Sequence, residues 1–224
     1  MSFFKILFGQ KDKVNDDKSE NTVLGINADD QHKKLQEDLT RINSGEPGKI
    51  YPILKAGDWS GIKAGAIRQT IIGDKNNPKL LVGFAYDEAN KLVFLKYSDY
   101  QEKEKLQEMV EQAYKNLDQC EVTFKEVVPK KVLIFDGQEF CSEKILDHLF
   151  MKSLQNILGG EKLVVSIPRR RCMMVTNSFE EQDIFDMFLK IHSDTWNNDS
   201  YGNPQIMNSI FVLKNGEIEM VKDL

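Results

Sequence analysis

A hairpin turn near the C-terminal end constrains the fold most. In "IFVLKNGEIEMV", Ile210–Val221, two β-type runs flank Asn215–Gly216. That dipeptide suits a two-residue loop whose central residues both take positive φ. Two further strand pairs repeat the arrangement. "KLLVGFAYDEANKLVFLKY" (Lys79–Tyr97) bends at its acidic centre, and Leu163–Ile167 is followed by Arg171–Thr176 across Pro168–Arg170. Short hairpins join antiparallel neighbours, whereas parallel strands need long crossovers. Strands are also expected at Lys49–Leu54, Ile67–Ile72, Val122–Val128 and Val132–Phe135. The first belongs at an edge or a bulge, because Pro52 has no N–H for a ladder.

Helical stripes separate these runs. Asn27–Ile42 carries Leu35, Leu39 and Ile42 on one side. Ser98 and Gln101 form a capping box ahead of Leu106, Met109, Val110, Ala113, Tyr114 and Leu117. Ser142 stands as the cap of a helix whose broad apolar face is Ile145, Leu146, Leu149, Phe150, Leu154, Ile157 and Leu158, stopped by Gly159–Gly160. Ser178 with Glu181 starts a fourth, bearing Ile184, Phe185, Phe188 and Leu189. The predicted class is α+β, an antiparallel sheet built from hairpins with about four helices packed on it.

The expected organisation has three parts. Residues 1–9 form an amphipathic segment with Phe3, Phe4, Leu7 and Phe8 on one face, residues 10–21 a polar flexible linker, and residues 22–224 a single α+β domain. The apolar stretch at Phe3–Phe8 is shorter than a signal-peptide core, so it is expected to dock on protein or to touch a membrane surface weakly. A net charge of −5 argues against attraction of nucleic acid to the whole surface. Three widely spaced cysteines fit a reducing cytoplasm better than a disulfide framework.

No motif spells out a reaction. Neither G-x-G-x-x-G nor G-K-[S/T] occurs, no histidine pair has metal-ligand spacing, and no G-x-S-x-G elbow is present. No catalytic residue, metal or cofactor is therefore assigned. His192 continues an apolar helical stripe and reads as a core histidine, and His148 reads as exposed beside Lys144 and Lys152. Cys172 follows Arg171 but sits beside methionines, so it reads as a small buried hydrophobe. The candidate anion- or partner-binding residues are Arg169, Arg170 and Arg171, three of the chain's five arginines, because planar guanidinium forks recognise carboxylate and phosphate. Alternation splays their heads, so at most two converge on one ligand. The alternative is a solvated turn with one arginine paired to Glu180, Glu181 or Asp183. Trp196 and Tyr201, in "WNNDSYGNP", mark a second candidate binding loop.

The order of "KIYPILK", "LLVGFAYDEANKLVFLKYSDY", "LQEMVEQAYKNL", "CSEKILDHLFMKSLQ", "GEKLVVSIPRRRCMMVTN" and "IFVLKNGEIEMV" resembles the YtpQ-like family of uncharacterised bacterial proteins, from about Lys49 to Leu224. In that family the stretch matching "VVSIP" also runs strand, proline, polar turn, strand. Its turn carries an acidic residue near Arg171, so the resemblance implies that the arginine triplet is particular to this chain. It implies a bacterial cytoplasmic α+β protein and no assigned reaction. The expected function is a non-enzymatic binding or adaptor module for a protein partner, with strand addition at an edge such as the Pro52 strand as one route. Two alternatives stand beside it, an anion or nucleic-acid binder through Arg169–Arg171 and an enzyme whose site is not readable from sequence.

Overall fold

Two antiparallel sheets divide the chain. The structure, a computed structural model, describes residues 48–88, 91–100, 102–178 and 181–224, which belong to one compact unit. In the four-stranded sheet, β3 (Asn77–Glu88) lies at the centre. β1 (Ile50–Ala56) pairs along one edge, and β2 (Arg68–Asp74) and β4 (Lys91–Phe94) follow each other along the opposite edge. The second sheet has six strands in the order β10-β9-β7-β8-β6-β5, all antiparallel. They are β5 (Lys125–Val128), β6 (Val132–Asp136), β7 (Lys162–Ser166), β8 (Cys172–Asn177), β9 (Ser209–Lys214) and β10 (Glu217–Asp223). The α+β class and its antiparallel pairing are as expected. Three α-helices lie among the described residues: α1 (Lys103–Asp118), α2 (His148–Leu158) and α3 (Gln182–Trp196). The helix expected over Asn27–Ile42, the segment at residues 1–9 and the linker at residues 10–21 lie outside the described residues.

Alternation along the strands decides what each helix covers. Leu133, Phe135, Leu163, Val165, Met173, Val175, Phe211 and Leu213 face one side of the six-stranded sheet. There they share one continuous core with α2 and with Leu54, Val82 and Phe84 of the smaller sheet. The intervening residues Val132, Ile134, Val164, Cys172, Met174 and Ile210 face the other side, under Phe188 and Ile191 of α3. Burying side chains of this size contributes about 1.5–3 kcal/mol each, which makes these two layers the main source of stability. α1 lies on the smaller sheet, with Tyr114 edge-on to Phe84 at 6.1 Å.

Helix starts differ from the capping boxes read in the sequence. Ser98 falls in a 3-10 turn, α1 begins at Lys103, and no side chain caps it. Glu181 precedes α3 but makes no capping bond, because its carboxylate pairs with Lys131 at 3.1 Å. The expected helix from Ser142 is broken in two. A 3-10 turn at Glu143–Leu146 ends at Asp147, whose carboxylate accepts from Phe150 N at 2.9 Å and caps α2. Ser142 is used elsewhere, accepting from the backbone N–H of Arg171 at 3.1 Å.

That broken turn joins the sheets. Phe140 stacks on Tyr51 of β1 with ring centroids 4.1 Å apart. Glu143 is buried and accepts from Leu54 N, while Asn116 of α1 donates to Ile50 O. The even residues of β1 thus aim their backbone groups at the edge away from β3. Pro52 has the same parity, so its missing N–H costs no ladder bond. The edge is real, but side chains cover it.

Sheet-edge blunting recurs elsewhere. β2, β5 and β10 all carry register shifts, and β4 spans four residues. Bulges and short strands discourage pairing with another chain.

The final turn is of the expected kind, with φ of 53° at Asn215 and 85° at Gly216. A side chain at Gly216 would also collide with the carbonyl of His148, whereas one at Gly202 (φ 79°) would meet open space. Urea unfolding is therefore expected to show Gly202→Ala losing about 1 kcal/mol, the cost of left-handed backbone, and Gly216→Ala losing clearly more. Equal losses would mean that the start of α2 yields to the turn.

Candidate functional site

The arginine triplet sits on a tight turn between β7 and β8. Cys172 N donates to Arg169 O at 3.1 Å, and Arg171 takes a left-handed φ of 59°. Arg170 N and Ile206 N donate to Pro204 O and Pro168 O, tying the turn to the segment before β9. The three guanidinium groups then part company.

Arg169 is 6% exposed and turns toward the end of α3. Its Nε donates to Thr195 O at 2.8 Å, Nη2 to Trp196 O at 2.6 Å and Nη1 to Asn203 O at 3.0 Å. Carbonyls at a helix C-terminus lack intrahelical partners and carry the negative end of the helix dipole, so a buried cation satisfies both needs. Asp199 lies 3.6 Å away but is wholly exposed, and such a pair contributes little. Arg169 is a structural cap.

Arg170 and Arg171 turn the other way, onto Glu139. Arg170 Nη2 lies 3.3 Å from one carboxylate oxygen, and Arg171 Nη2 bonds the other. Their partner is therefore an acid beyond β6, not one at the start of α3. Lys55 of β1 completes the group. Its ammonium lies 4.9 Å from the Phe94 ring centroid and 5.5 Å from that of Trp59. Burial first, and then the charge of Arg170, push the Lys55 pKa down, while Glu143 opposes them. Gly83 leaves room for the two rings, since a side chain there would come within 3.0 Å of both.

His192 belongs to a buried polar chain. Ser166 Oγ lies 2.5 Å from Nδ1, and Asn208 Oδ1 lies 3.0 Å from Nε2. The residue types are those of a nucleophile, a base and an orienting amide, but Ser166 is fully buried and His192 is 1% exposed. A sealed hydroxyl meets no substrate, so the chain ties β7, α3 and the β9 approach together. Desolvation lowers the His192 pKa, with the Asn208 bond opposing it. Cys172 is equally sealed, and burial pushes its thiol up to about 12.

The loop after α3 separates its two aromatics. Tyr201 bonds the Asp136 carboxylate and donates to Arg171 O at 3.3 Å, so it is a strut between that loop and the sheet. Trp196, half-buried, lines a shallow, wide-open cleft of about 590 Å³ between the ends of the two sheets. Asp58, Pro78 and Lys79 form one wall, and Asn208 and Asp223 lie opposite. Lys79 bridges to Asp223 at 2.7 Å across the cleft. No family model, curated protein or solved structure matches this chain. The cleft therefore has to be judged on its own chemistry: one aromatic face, an amide held by His192, and two carboxylates facing a single lysine. Sequence reading missed every cleft residue except Trp196, because charged residues at strand ends look like ordinary solvated positions. Among the described residues no cluster of His, Cys, Asp and Glu is placed to hold a metal, and no helix is long and apolar enough to cross a membrane.

Arg169→Met should cost about 2–4 kcal/mol in urea unfolding, because three carbonyls lose a charged donor. Arg170→Met should cost less than about 1 kcal/mol, being a partly exposed pair. Comparable losses would remove the cap role from Arg169. The His192 contribution has a definite sign. Its folded pKa lies below the ordinary 6.5, so stability is full above that pH and is lost as the pH falls toward the folded value. His192→Gln should flatten this acid limb in a stability–pH profile.

Proposed function

We propose that the chain is a non-enzymatic binding module that holds a short polar segment of a protein partner in the Trp196 cleft. The observation that supports this most directly is the cleft's composition, an aromatic face beside fixed hydrogen-bonding groups. Pockets of this kind orient a ligand through a few polar contacts and take affinity from the aromatic surface. With Asp223 already paired to Lys79, Asp58 is left as the unmatched carboxylate among the described residues and favours a segment bearing a basic side chain, whose stem would lie along Trp196. Strand addition is a poor route for this fold, since the β1 edge is covered and the others are bulged or short. The YtpQ-like resemblance, which carries no assigned reaction and implies a bacterial cytoplasmic setting, is compatible with this reading.

The chain has two tryptophans, Trp59 and Trp196, so Trp59→Phe leaves Trp196 as the sole indole reporter. Peptides selected from a displayed library against the full chain should shift Trp196 fluorescence in this variant. Trp196→Ala should weaken them at least about tenfold, the effect of losing an aromatic anchor. Failure to select a binder, or binders indifferent to Trp196→Ala, would reject the cleft as the partner site.

A further inference from the structure

The joint where Lys55, Arg170 and Arg171 meet has unfinished donors. In an arginine, Nε and Nη2 point from one edge of the guanidinium and form a fork suited to two oxygens of one anion. Both forks here are half filled. Each Nη2 reaches one oxygen of Glu139, while Arg170 Nε and Arg171 Nε are buried and find no acceptor among the described residues. Glu139 has only two oxygens, and each is already engaged by one arginine. Buried donors without partners are rare in folded proteins.

Charge at the joint is also out of balance. Arg170 and Arg171 share the single carboxylate of Glu139, and Lys55 lies close enough to Arg170 and Glu143 to feel the charge of both, which leaves three cations among two acids. Burial first and then Arg170 disfavour the charge on Lys55, with Glu143 opposing them. Neighbouring cations repel unless an anion lies between them. The turn itself is held in an unfavourable state, with Arg171 left-handed although it is not glycine. That backbone directs Arg170 and Arg171 onto one carboxylate. Glu139 faces solvent, its side chain 46% exposed, and the Lys55 ammonium lies against the rings of Trp59 and Phe94.

We propose that Lys55, Arg170 and Arg171 form a binding site for a phosphate-type oxyanion, with Glu139 as an internal stand-in that swings out when the anion enters. A tetrahedral anion offers more oxygens than a carboxylate, enough to fill both forks and still face the ammonium of Lys55. The rings of Trp59 and Phe94 shield the Lys55 ammonium from water and strengthen its interaction with an anion. Glu139, on an exposed loop, loses only a surface-type contact when displaced. Arg169 takes no part, and the site is separate from the Trp196 cleft, so either can fail without the other.

Trp196→Phe leaves Trp59, against which Lys55 lies, as the only indole. In that background, inorganic phosphate at constant ionic strength should give a saturable fluorescence change. Chloride should give none, and acetate should bind more weakly than phosphate. Glu139→Gln should tighten phosphate by about fivefold, because one competing exposed carboxylate is gone. Lys55→Met should weaken phosphate at least about tenfold. If Lys55→Met proves unfolded by circular dichroism, the gain in Glu139→Gln decides alone. A response shared by chloride, no saturation in either the parent or Glu139→Gln, or no gain in Glu139→Gln would overturn the proposal. So would a folded Lys55→Met chain that binds phosphate as tightly as its parent.

Discussion

The buried ion pair between Lys144 and Asp147, 2.7 Å apart, is the contact on which most of the architecture converges. Its ammonium also donates to Leu117 O at 2.8 Å and lies 5.2 Å from the centre of the Phe150 ring. One cation therefore closes the C-terminus of α1 while its partner carboxylate caps α2. Burying such a pair is expensive, and the surrounding acceptors are what offset the desolvation. Immediately before it, Ser142 and Glu143 fasten the arginine turn and the β1 edge. Five consecutive residues, from Phe140 to Lys144, thus connect both sheets, one helix and the turn on which Arg170 and Arg171 sit.

Arg169 repeats the same device on the opposite face. There too a buried cation satisfies helix C-terminal carbonyls, now those of α3. Basic side chains in this protein are used inside as well as outside, and this explains why an arginine-rich turn is only partly available for ligands. Of three adjacent guanidinium groups, one stabilises a helix end and two are left at a solvent-facing joint. The division follows from the turn, where the left-handed backbone at Arg171 brings its side chain beside that of Arg170 while Arg169 faces the end of α3.

Patterns of apolar residues were legible from sequence alone. Period two in β6, β7, β8 and β9 and the stripes of α1 and α3 predict the sheets, the helices and the burial of His192, Cys172 and Phe188. The edge position of Pro52 and the left-handed Asn215–Gly216 turn are equally local matters. What stayed hidden was long-range polar pairing. Ser142 looks like a helix cap, and only the approach of Arg171, 29 positions away, gives it another partner. Lys144 and Glu143 read as surface charges, because nothing nearby announces that α1 and β1 bring acceptors and donors to them. Lys55 and Trp59 lie four residues apart, but Glu139 and the arginines come from distant stretches of the chain, so no local spacing could have grouped them.

The contact of Lys144 with both helix ends also bears on how the fold comes apart. Opening it takes a charged donor from the last carbonyls of α1 and the counter-ion from the carboxylate that caps α2, so the two helix ends are coupled. Local opening free energies normally differ from one element to the next and fall toward zero at fraying ends. Here the two ends share one contact, and amide protons in the last turn of α1 and the first turn of α2 are expected to exchange through a common opening step. Elements far apart in the chain order of folding are thereby made to fail together, and the seam between the sheets loses its fastening at the same moment.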